Sequence, residues 1–534
     1  MRSFSSYGPI DRDLHYYAPR TELIELACRQ LVGKNPEKRG YYITEWAPRQ
    51  TGKSWVMNEV LYKLSSDKRF DVVKIELEVL KTENNVAEVL KYIEKHIARD
   101  LNKKVTAEAD TLEKFQEIFS KESLDKPLIL ILDEFDSLEE DAISAIVGAF
   151  RNIYNIRQSQ TDKKTGEKKY LLHSVALIGV RAVLGIENQK GSPFNVQRSL
   201  HIPNLTFEEV REMFIWHERE SGQKVGQEVI ERLYYETKGQ PGLTCWFGEL
   251  LTEGWDQFYV RSDMPIDMEL FEHAWAVAIS LLPNNNILNI ISKARQEPYK
   301  QTVLNLFGTK EKITFAYDKT DLNFLYMNGV IDVEQTADKK FYAKFPCPFI
   351  QKRLFNHFAD DIFDFIDDLY DPFEDLKPAI DDTSLNIRNI MKLYRSYLMK
   401  NRDWILKNAP RRSDMKIYEA VYHFNLYMYL SRFMRRFDGN VYPEFPTGNG
   451  KIDLIVEYAG KTYGIELKSY TDKPGYKKAL KDAAEYGRQL KLKEIFLVFF
   501  VEYFNDENKK KLEINYFDPD KKVKVYTIFV ETGK

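Results

Sequence analysis

Asp453, Glu466 and Lys468 lie in the stretch Lys451–Ser469, where two β-type runs, Ile452–Tyr458 and Lys461–Lys468, flank Ala459-Gly460. That is a hairpin pattern, with the glycine supplying the positive φ of a tight turn. A two-residue turn there opposes Tyr458 to Lys461, Val456 to Tyr463 and Asp453 to Glu466. Directly opposed residues have Cβ atoms about 4.5–5.5 Å apart, and like charges in that arrangement are destabilising. Lys468 lies two residues past Glu466 and shares its face. Ile452, Leu454, Ile465 and Leu467 point the other way, into a core. Two carboxylates held side by side need a cation, and oxygen-only ligation suits Mg²⁺ or Mn²⁺. The expected chemistry is metal binding by Asp453 and Glu466.

A second constellation lies near the N-terminus. The β-rich run Tyr41–Trp46 leads into Ala47-Pro48-Arg49-Gln50-Thr51-Gly52-Lys53-Ser54 and then a helix to about Leu64. Strand, small-residue loop, Gly-Lys-Ser and helix form the setting of a phosphate-binding loop. Backbone N–H groups of the loop, Arg49 to Gly52, and of the helix N-terminus cradle phosphates. Lys53 reaches the β- and γ-phosphates, and Ser54 ligates Mg²⁺. Pro127–Leu132 is a continuous apolar run, as a strand buried on both faces should be, and it ends in Asp133-Glu134. Acids at the carboxyl end of such a strand lie where open α/β sheets bind ligands. Asp133 is expected to hold Mg²⁺ through water and Glu134 to act as general base. Arg181, after the strand Ser174–Val180, either senses the γ-phosphate or is a surface arginine.

The segments 47–54, Leu132-Asp133-Glu134-Phe135-Asp136, Leu177-Ile178-Gly179-Val180-Arg181 and Gly239-Gln240-Pro241-Gly242-Leu243 resemble AAA-like ATPases of the archaeal/STAND type over about residues 10–255. The resemblance implies a RecA-like sheet, a helical lid and a following winged helix. It also implies an ATPase that serves as a regulated switch, with the Gly-x-Pro stretch reading the nucleotide state. Asp453, twelve intervening residues and Glu466-Leu467-Lys468 resemble the core of the PD-(D/E)XK nucleases. That resemblance implies that Asp453, Glu466 and the backbone carbonyl of Leu467 hold the divalent metal. It implies that Lys468 orients or activates the attacking water, and that Glu419, on a helix before the hairpin, assists. Two positions depart from the pattern. Gly450-Lys451-Ile452 precede Asp453 with no proline, and Asp482 stands where a glutamine would accompany Tyr486.

With 534 residues, 43% hydrophobic and 30% charged, the chain is long enough for several globular domains. We expect an α/β multidomain protein. Its parts are a RecA-like P-loop ATPase domain over 1–205, a helical lid over 206–255 and a winged-helix-like domain over 256–357. An acidic helical linker over 358–383 and a restriction-endonuclease-like domain over 384–534 complete it. Within 256–357, Ile287–Ala294 and Lys319–Met327 read as helices, and Val330–Val333 with Phe341–Phe345 as a hairpin wing. The wing domain reads as a spacer rather than a DNA binder, because it has no strong basic stripe.

No apolar run reaches membrane-spanning length and no signal peptide opens the chain, so a cytoplasmic protein is expected. Cys28, Cys245 and Cys347 are far apart and suggest a reducing compartment without disulfides or zinc. The net charge of −3 argues against a generic basic DNA binder, but residues 401–534 carry 25 Lys and Arg against 19 Asp and Glu. The basic excess sits with the suspected nuclease, where phosphate contacts are needed.

Residues 358–382 are acidic, and Phe358, Ile362, Phe365, Ile366 and Leu369 recur at helical spacing, so the stretch reads as an amphipathic helix broken at Pro372 and Pro378, its acidic face either solvated or docked on the nuclease. Arg151 or Arg157 is available to act across a subunit interface in a homo-oligomer. The expected function is an ATP-regulated, Mg²⁺- or Mn²⁺-dependent DNA endonuclease, in defence or mobile-element biology. Two alternatives stay open: an ATP-dependent DNA-binding scaffold whose nuclease fold does not cut, and a regulatory ATPase that meets only protein partners.

Overall fold

A computed structural model describes residues 1–103, 108–179, 198–308, 312–363, 369–370, 375–407, 409–411, 417–444, 453–469, 472–501, 503, 505, 507 and 511–532. The chain divides into two compact units, residues 1–282 with 327–329, and the remainder.

The first unit runs α1 (Thr21–Val32), β1 (Ile43–Trp46), α2 (Lys53–Ser65), β2 (Asp71–Glu76), α3 (Val86–Asp100), α4 (Leu112–Glu117), β3 (Leu128–Asp133), α5 (Glu140–Ser159), β4 (Leu172–Gly179) and β5 (Arg198–His201). These strands form one sheet in the order β2-β3-β4-β1-β5, and every pairing is parallel. A parallel sheet is covered on both faces, so its strands carry near-continuous apolar runs. Leu128 to Leu132 are all fully buried. Ile129 and Ile131 pack with α1 and α2, through residues such as Leu31, Val56 and Val60. Leu128, Leu130 and Leu132 face α3 to α5, through residues such as Ile93, Phe150 and Ile153. Each such side chain contributes about 1.5–3 kcal/mol by leaving water.

Helices α6 (Phe207–Ser221), α7 (Gln227–Thr237) and α8 (Pro241–Thr252) follow the sheet. A capping box starts α6, with Thr206 and Glu209 each accepting the other's backbone N–H. Lys238 (φ 49°) and Gly239 (φ 69°) turn the chain out of α7, and Pro241 restarts it as α8 with Gln240 as its cap. After a short hairpin of β6 (Gly254–Trp255) and β7 (Phe258–Tyr259), α9 (Met268–Ser280) packs on α7 and α8.

The second unit opens with α10 (Asn285–Arg295), α11 (Tyr299–Gly308), α12 (Thr320–Met327) and the hairpin β8 (Asp332–Gln335)–β9 (Phe341–Lys344). Phe315 N–H donates to the Phe341 carbonyl and Ala343 N–H to the Ile313 carbonyl, both at 2.9 Å, so residues 313–315 add a short third strand. Next come α13 (Pro348–Ile362), a small hairpin of β10 (Ile380–Asp381) and β11 (Ser384–Leu385), α14 (Ile387–Ile405) and α15 (Glu419–Arg435). A six-stranded sheet completes the unit, built from β12 (Asn440–Glu444), β13 (Asp453–Tyr458), β14 (Lys461–Ser469), β15 (Glu494–Val501), β16 (Asn515–Asp518) and β17 (Val523–Glu531). Its order is β12-β13-β14-β15-β17-β16, with β14, β15 and β17 mutually parallel. Between β14 and β15, α16 (Lys473–Gln489) covers one face, burying Tyr476, Ala479, Leu480 and Ala483 against Leu497, Phe499 and Phe529.

Two expectations need correction. The amphipathic helix expected from Phe358 does not begin there. Its first residues are the last turns of α13, which begins at Pro348, and the helix stops at Ile362. Phe358 and Ala359 are fully buried, and Asp361 pairs with Arg295 at 3.0 Å and Lys300 at 3.3 Å. That acid is engaged by α10 and the start of α11, while Asp360 beside it is in electrostatic reach of Arg432 and Arg435 of the C-terminal stretch; residues 364–368 and 371–374 lie outside the described residues. Arg157 also departs from expectation. It is 3% exposed and donates to the Tyr170 carbonyl and, at 2.8 Å, to Thr165 Oγ1, so it holds its own fold and does not reach a neighbour.

The β13–β14 turn has Ala459 at φ 48° and Gly460 at φ 71°. Both values are positive, as a type I′ hairpin turn requires, and alanine pays a steric penalty there. Replacing Ala459 with Asn, which tolerates this region, raises the stability of the second unit by up to about 1 kcal/mol. The check is a rise in the urea midpoint with an unchanged slope.

Candidate functional site

Loop 47–52 leaves β1 and enters α2. Gly52 caps the helix at φ 90°, which glycine alone adopts without strain, and no atom lies within 4 Å of where a Cβ would sit. The first-turn N–H groups of α2 have no intrahelical partners and carry the positive end of the helix dipole. Thr51 Oγ1 donates to the Pro48 carbonyl at 2.8 Å, and Lys53 Nζ donates to the carbonyls of Ala47 (2.9 Å) and Pro48 (3.0 Å). The Arg49 side chain is exposed and Ser54 is half-buried. The Gly239–Leu243 stretch rests on the same loop. Gln240 Nε2 donates to the carbonyls of Arg49 (3.3 Å) and Gln50 (3.2 Å), and Gly242 N–H to that of Gln50 (3.0 Å). A Cβ on Gly242 would lie 2.6 Å from Gln50 Cβ, so glycine permits this approach.

The carboxyl ends of the strands supply charge beneath the loop. Register places Asp133 of β3 and Glu45 of β1 on either side of Ile178 of β4, with Glu76 of β2 beyond Asp133. Asp133 is 2% exposed; its Oδ1 accepts the Glu134 N–H at 3.0 Å, and its Oδ2 pairs with Lys74 Nζ at 2.8 Å. Glu134 holds a left-handed backbone (φ 52°), and burial raises its carboxyl above the ordinary range against the opposing pull of Lys53. Burial also lowers the Lys53 ammonium, while Glu134, Glu45, Asp136 and Asp133 oppose that shift. These groups fit a nucleotide triphosphate with a divalent ion: a helix N-terminus for phosphates, an ammonium, a hydroxyl at Ser54 and a buried carboxylate at Asp133. Arg181 lies outside the described residues.

In the second unit the hairpin register is the one its turn demands: Tyr458 opposes Lys461, Val456 opposes Tyr463 and Asp453 opposes Glu466. Leu454, Ile465 and Leu467 are buried, as the alternation requires. Glu466 is 1% exposed, and its Oε1 pairs with Lys468 Nζ at 2.8 Å. Both residues lie in register with Leu497 and Phe499, which pack against α16, the helix carrying Asp482 and the buried Tyr486. Glu419 is the first residue of α15. The side chains of Asp453 and Glu419 lie outside the described residues. Among the described residues, no group of three His, Cys, Asp or Glu side chains converges on a metal position.

Residues 6–252 match the family model of the AAA-like domain. This stretch is an AAA-like P-loop ATPase domain. No curated protein matches the chain. Among solved structures, it is similar to a Walker-type ATPase of Pyrococcus abyssi, at 16% identity and a TM-score of 0.43, over 66% of this chain and 99% of that one. It is similar to the Cdc6p protein of Pyrobaculum aerophilum, at 15% identity and a TM-score of 0.35, over 67% and 97%. The Aeropyrum pernix ORC1 protein, in complex with DNA, matches at 14% identity and a TM-score of 0.33, over 63% and 92%.

Sequence reading gave no role to several residues that the AAA-like domain brings together. An apolar pocket beside the loop is lined by Tyr17, Trp55, Met213, Pro241 and Cys245, with Thr51 at the loop itself. Tyr17 belongs to the run Tyr16-Tyr17-Ala18-Pro19, which carries no motif of its own. Glu444, at the end of β12, opposes Asp453, which makes a row of three acids with Glu466; Lys352 Nζ pairs with Glu444 Oε1 at 2.9 Å. Lys74 and Glu45 were also missed. Their signal was a charge inside a strand that should be apolar throughout.

Glu45 is 1% exposed and neither of its carboxyl oxygens has a hydrogen-bond partner among the described residues. Burial raises this carboxyl well above its ordinary value, Asp133 adds to the rise, and Lys53 and Lys74 oppose it. The folded protein therefore keeps the proton that the unfolded chain releases at ordinary carboxylate pH. Stability falls as pH climbs from the unfolded value toward the folded one, by at most about 1.4 kcal/mol per pH unit. Glu45→Gln removes this loss. Its stability relative to the parent should rise with pH above the ordinary carboxylate range and level off below it, as read from denaturant midpoints across pH 4–8.

Proposed function

We propose that the chain is an ATP-regulated nuclease, in which the AAA-like domain controls a divalent-metal-dependent cut of DNA phosphodiesters by the second unit. The observation that carries the reading is the direct opposition of Asp453 and Glu466 in one hairpin, with Lys468 on the same face and 2.8 Å from Glu466. Two acids so placed hold a divalent ion, which supplies an activated water and steadies charge on the phosphate. Lys468 positions the nucleophile, the Leu467 carbonyl completes the ligand set and Glu419 assists from the start of α15. The modest basic excess of residues 401–534 suits a polyanionic substrate.

In the AAA-like domain, Arg49 to Ser54 bind the phosphates, with Lys53 on the β- and γ-phosphates and Ser54 and Asp133 toward Mg²⁺. Glu134 acts as the base, Arg181 reads the γ-phosphate and the apolar pocket by Trp55 receives the base. Residues 206–255 serve as the lid, and 256–357, with α9 to α12, the hairpin wing and the start of α13, as a winged-helix spacer. The acidic stretch that follows α13 serves as the linker, expected over 358–383, and residues 384–534 as the nuclease-like domain. Assembly through the ATPase and a cytoplasmic setting complete this reading; no single described helix is long and apolar enough to cross a membrane.

A second reading is favoured by a specific observation. Lysines of the protein already neutralise two of the three acids in the row, Lys468 at Glu466 and Lys352 at Glu444. A nuclease fold satisfied in this way serves as an ATP-dependent DNA-binding scaffold that does not cut.

Plasmid cleavage in Mg²⁺ or Mn²⁺ with ATP separates the two. For the nuclease, Glu466→Ala lowers cleavage by at least about 100-fold while DNA binding persists. Lys53→Ala then loses the response to ATP. Binding without cleavage in either metal supports the scaffold and rejects the nuclease. No DNA affinity at low salt rejects both.

A further inference from the structure

We infer that Lys74 is a built-in counter-cation that holds Asp133 when no divalent ion is bound and yields it by moving to Glu76. The inference rests on the ATP reading of this site.

Lys74 belongs to β2, the edge strand beside β3, and its side chain is 8% exposed. Its ammonium lies 2.8 Å from Asp133 Oδ2 and 3.4 Å from Glu76 Oε1. The two acids differ sharply: the Asp133 side chain is 3% exposed and that of Glu76 is 77% exposed. They are direct register partners across β2 and β3, so one lysine reaches both without a change of backbone. Asp133 spends its other oxygen on the Glu134 N–H. A buried carboxylate with both oxygens engaged, one by a cation, holds a further cation weakly until the lysine leaves. Lys53 is likewise held by its own loop, through the Ala47 and Pro48 carbonyls. Mg²⁺ therefore competes with Lys74 for one oxygen of Asp133. The exposed Glu76 offers the displaced ammonium a hydrated seat and keeps it from being stranded in the interior.

The readout is binding of a fluorescent ATP analogue at fixed concentration as Mg²⁺ is raised, with no turnover measured. A neighbouring opposite charge at this distance shifts an ionic equilibrium by one to three logarithmic units, so Lys74→Met should lower the half-saturating Mg²⁺ about tenfold or more. Lys74→Arg, which keeps the charge, should stay near the parent. Glu76→Gln removes only an exposed carboxylate and tests the second seat in a variant whose core is untouched; it should raise the Mg²⁺ requirement about two- to threefold. A folded Lys74→Met protein that needs as much Mg²⁺ as the parent, or more, overturns the inference. So does a Glu76→Gln protein with an unchanged requirement. A parent that binds no ATP at any Mg²⁺ concentration faults the ATP reading itself, which is a different failure.

Discussion

Charge buried beneath one loop is the constraint on which the AAA-like domain depends. Lys53, Lys74, Asp133 and Glu45 are all removed from water toward the carboxyl ends of three parallel strands and at the start of α2. Ions in such a place are costly unless they are paired or bonded. Three of the four are satisfied: Lys74 by Asp133, Asp133 by Lys74 and the Glu134 N–H, and Lys53 by loop carbonyls. Glu45 is the exception, and burial accordingly raises its carboxyl well above the ordinary value. The apolar packing beside these groups, from Ile129 and Ile131 to Val56 and Val60, makes that pairing necessary.

The same constraint explains why the loop is so firmly held from outside. Its carbonyls at Arg49 and Gln50 accept from Gln240 and Gly242, and Gln50 Nε2 donates to the Ser6 carbonyl at 3.3 Å. The loop is thus bonded directly to the N-terminus of α8, by two side-chain bonds from Gln240 and one backbone bond from Gly242, and α8 packs on α9.

Lysine recurs as the internal partner of acids in the second unit, where Lys468 serves Glu466 and Lys352 serves Glu444. Lys352 is 1% exposed and comes from α13, a helix that also packs against α15 through Phe355 and Phe424, with ring centroids 4.8 Å apart. The acid row at the hairpin is thus tied to elements far from it in the sequence. Glu444 belongs both to the acid row and, through Lys352, to the setting of α13.

Much of this was legible in the chain itself. The Gly-Lys-Ser loop, the apolar run ending in Asp133-Glu134 and the Ala459-Gly460 turn are local statements. Each follows from glycine's tolerance of positive φ or from the period of apolar residues. The opposition of Asp453 and Glu466 followed because a two-residue turn fixes the register of a whole hairpin. What the sequence could not supply was pairing between segments distant along the chain. Whether Lys74 meets Asp133 depends on β2 lying beside β3, and whether Glu45 shares their face depends on β4 separating β1 from β3. The fate of Arg157, the end of α13 and the partners of Asp361 were decided in the same way, by which surfaces came to be covered. Local chemistry set the loops, turns and strands; the order of the strands and the burial it imposes set the charges of the site.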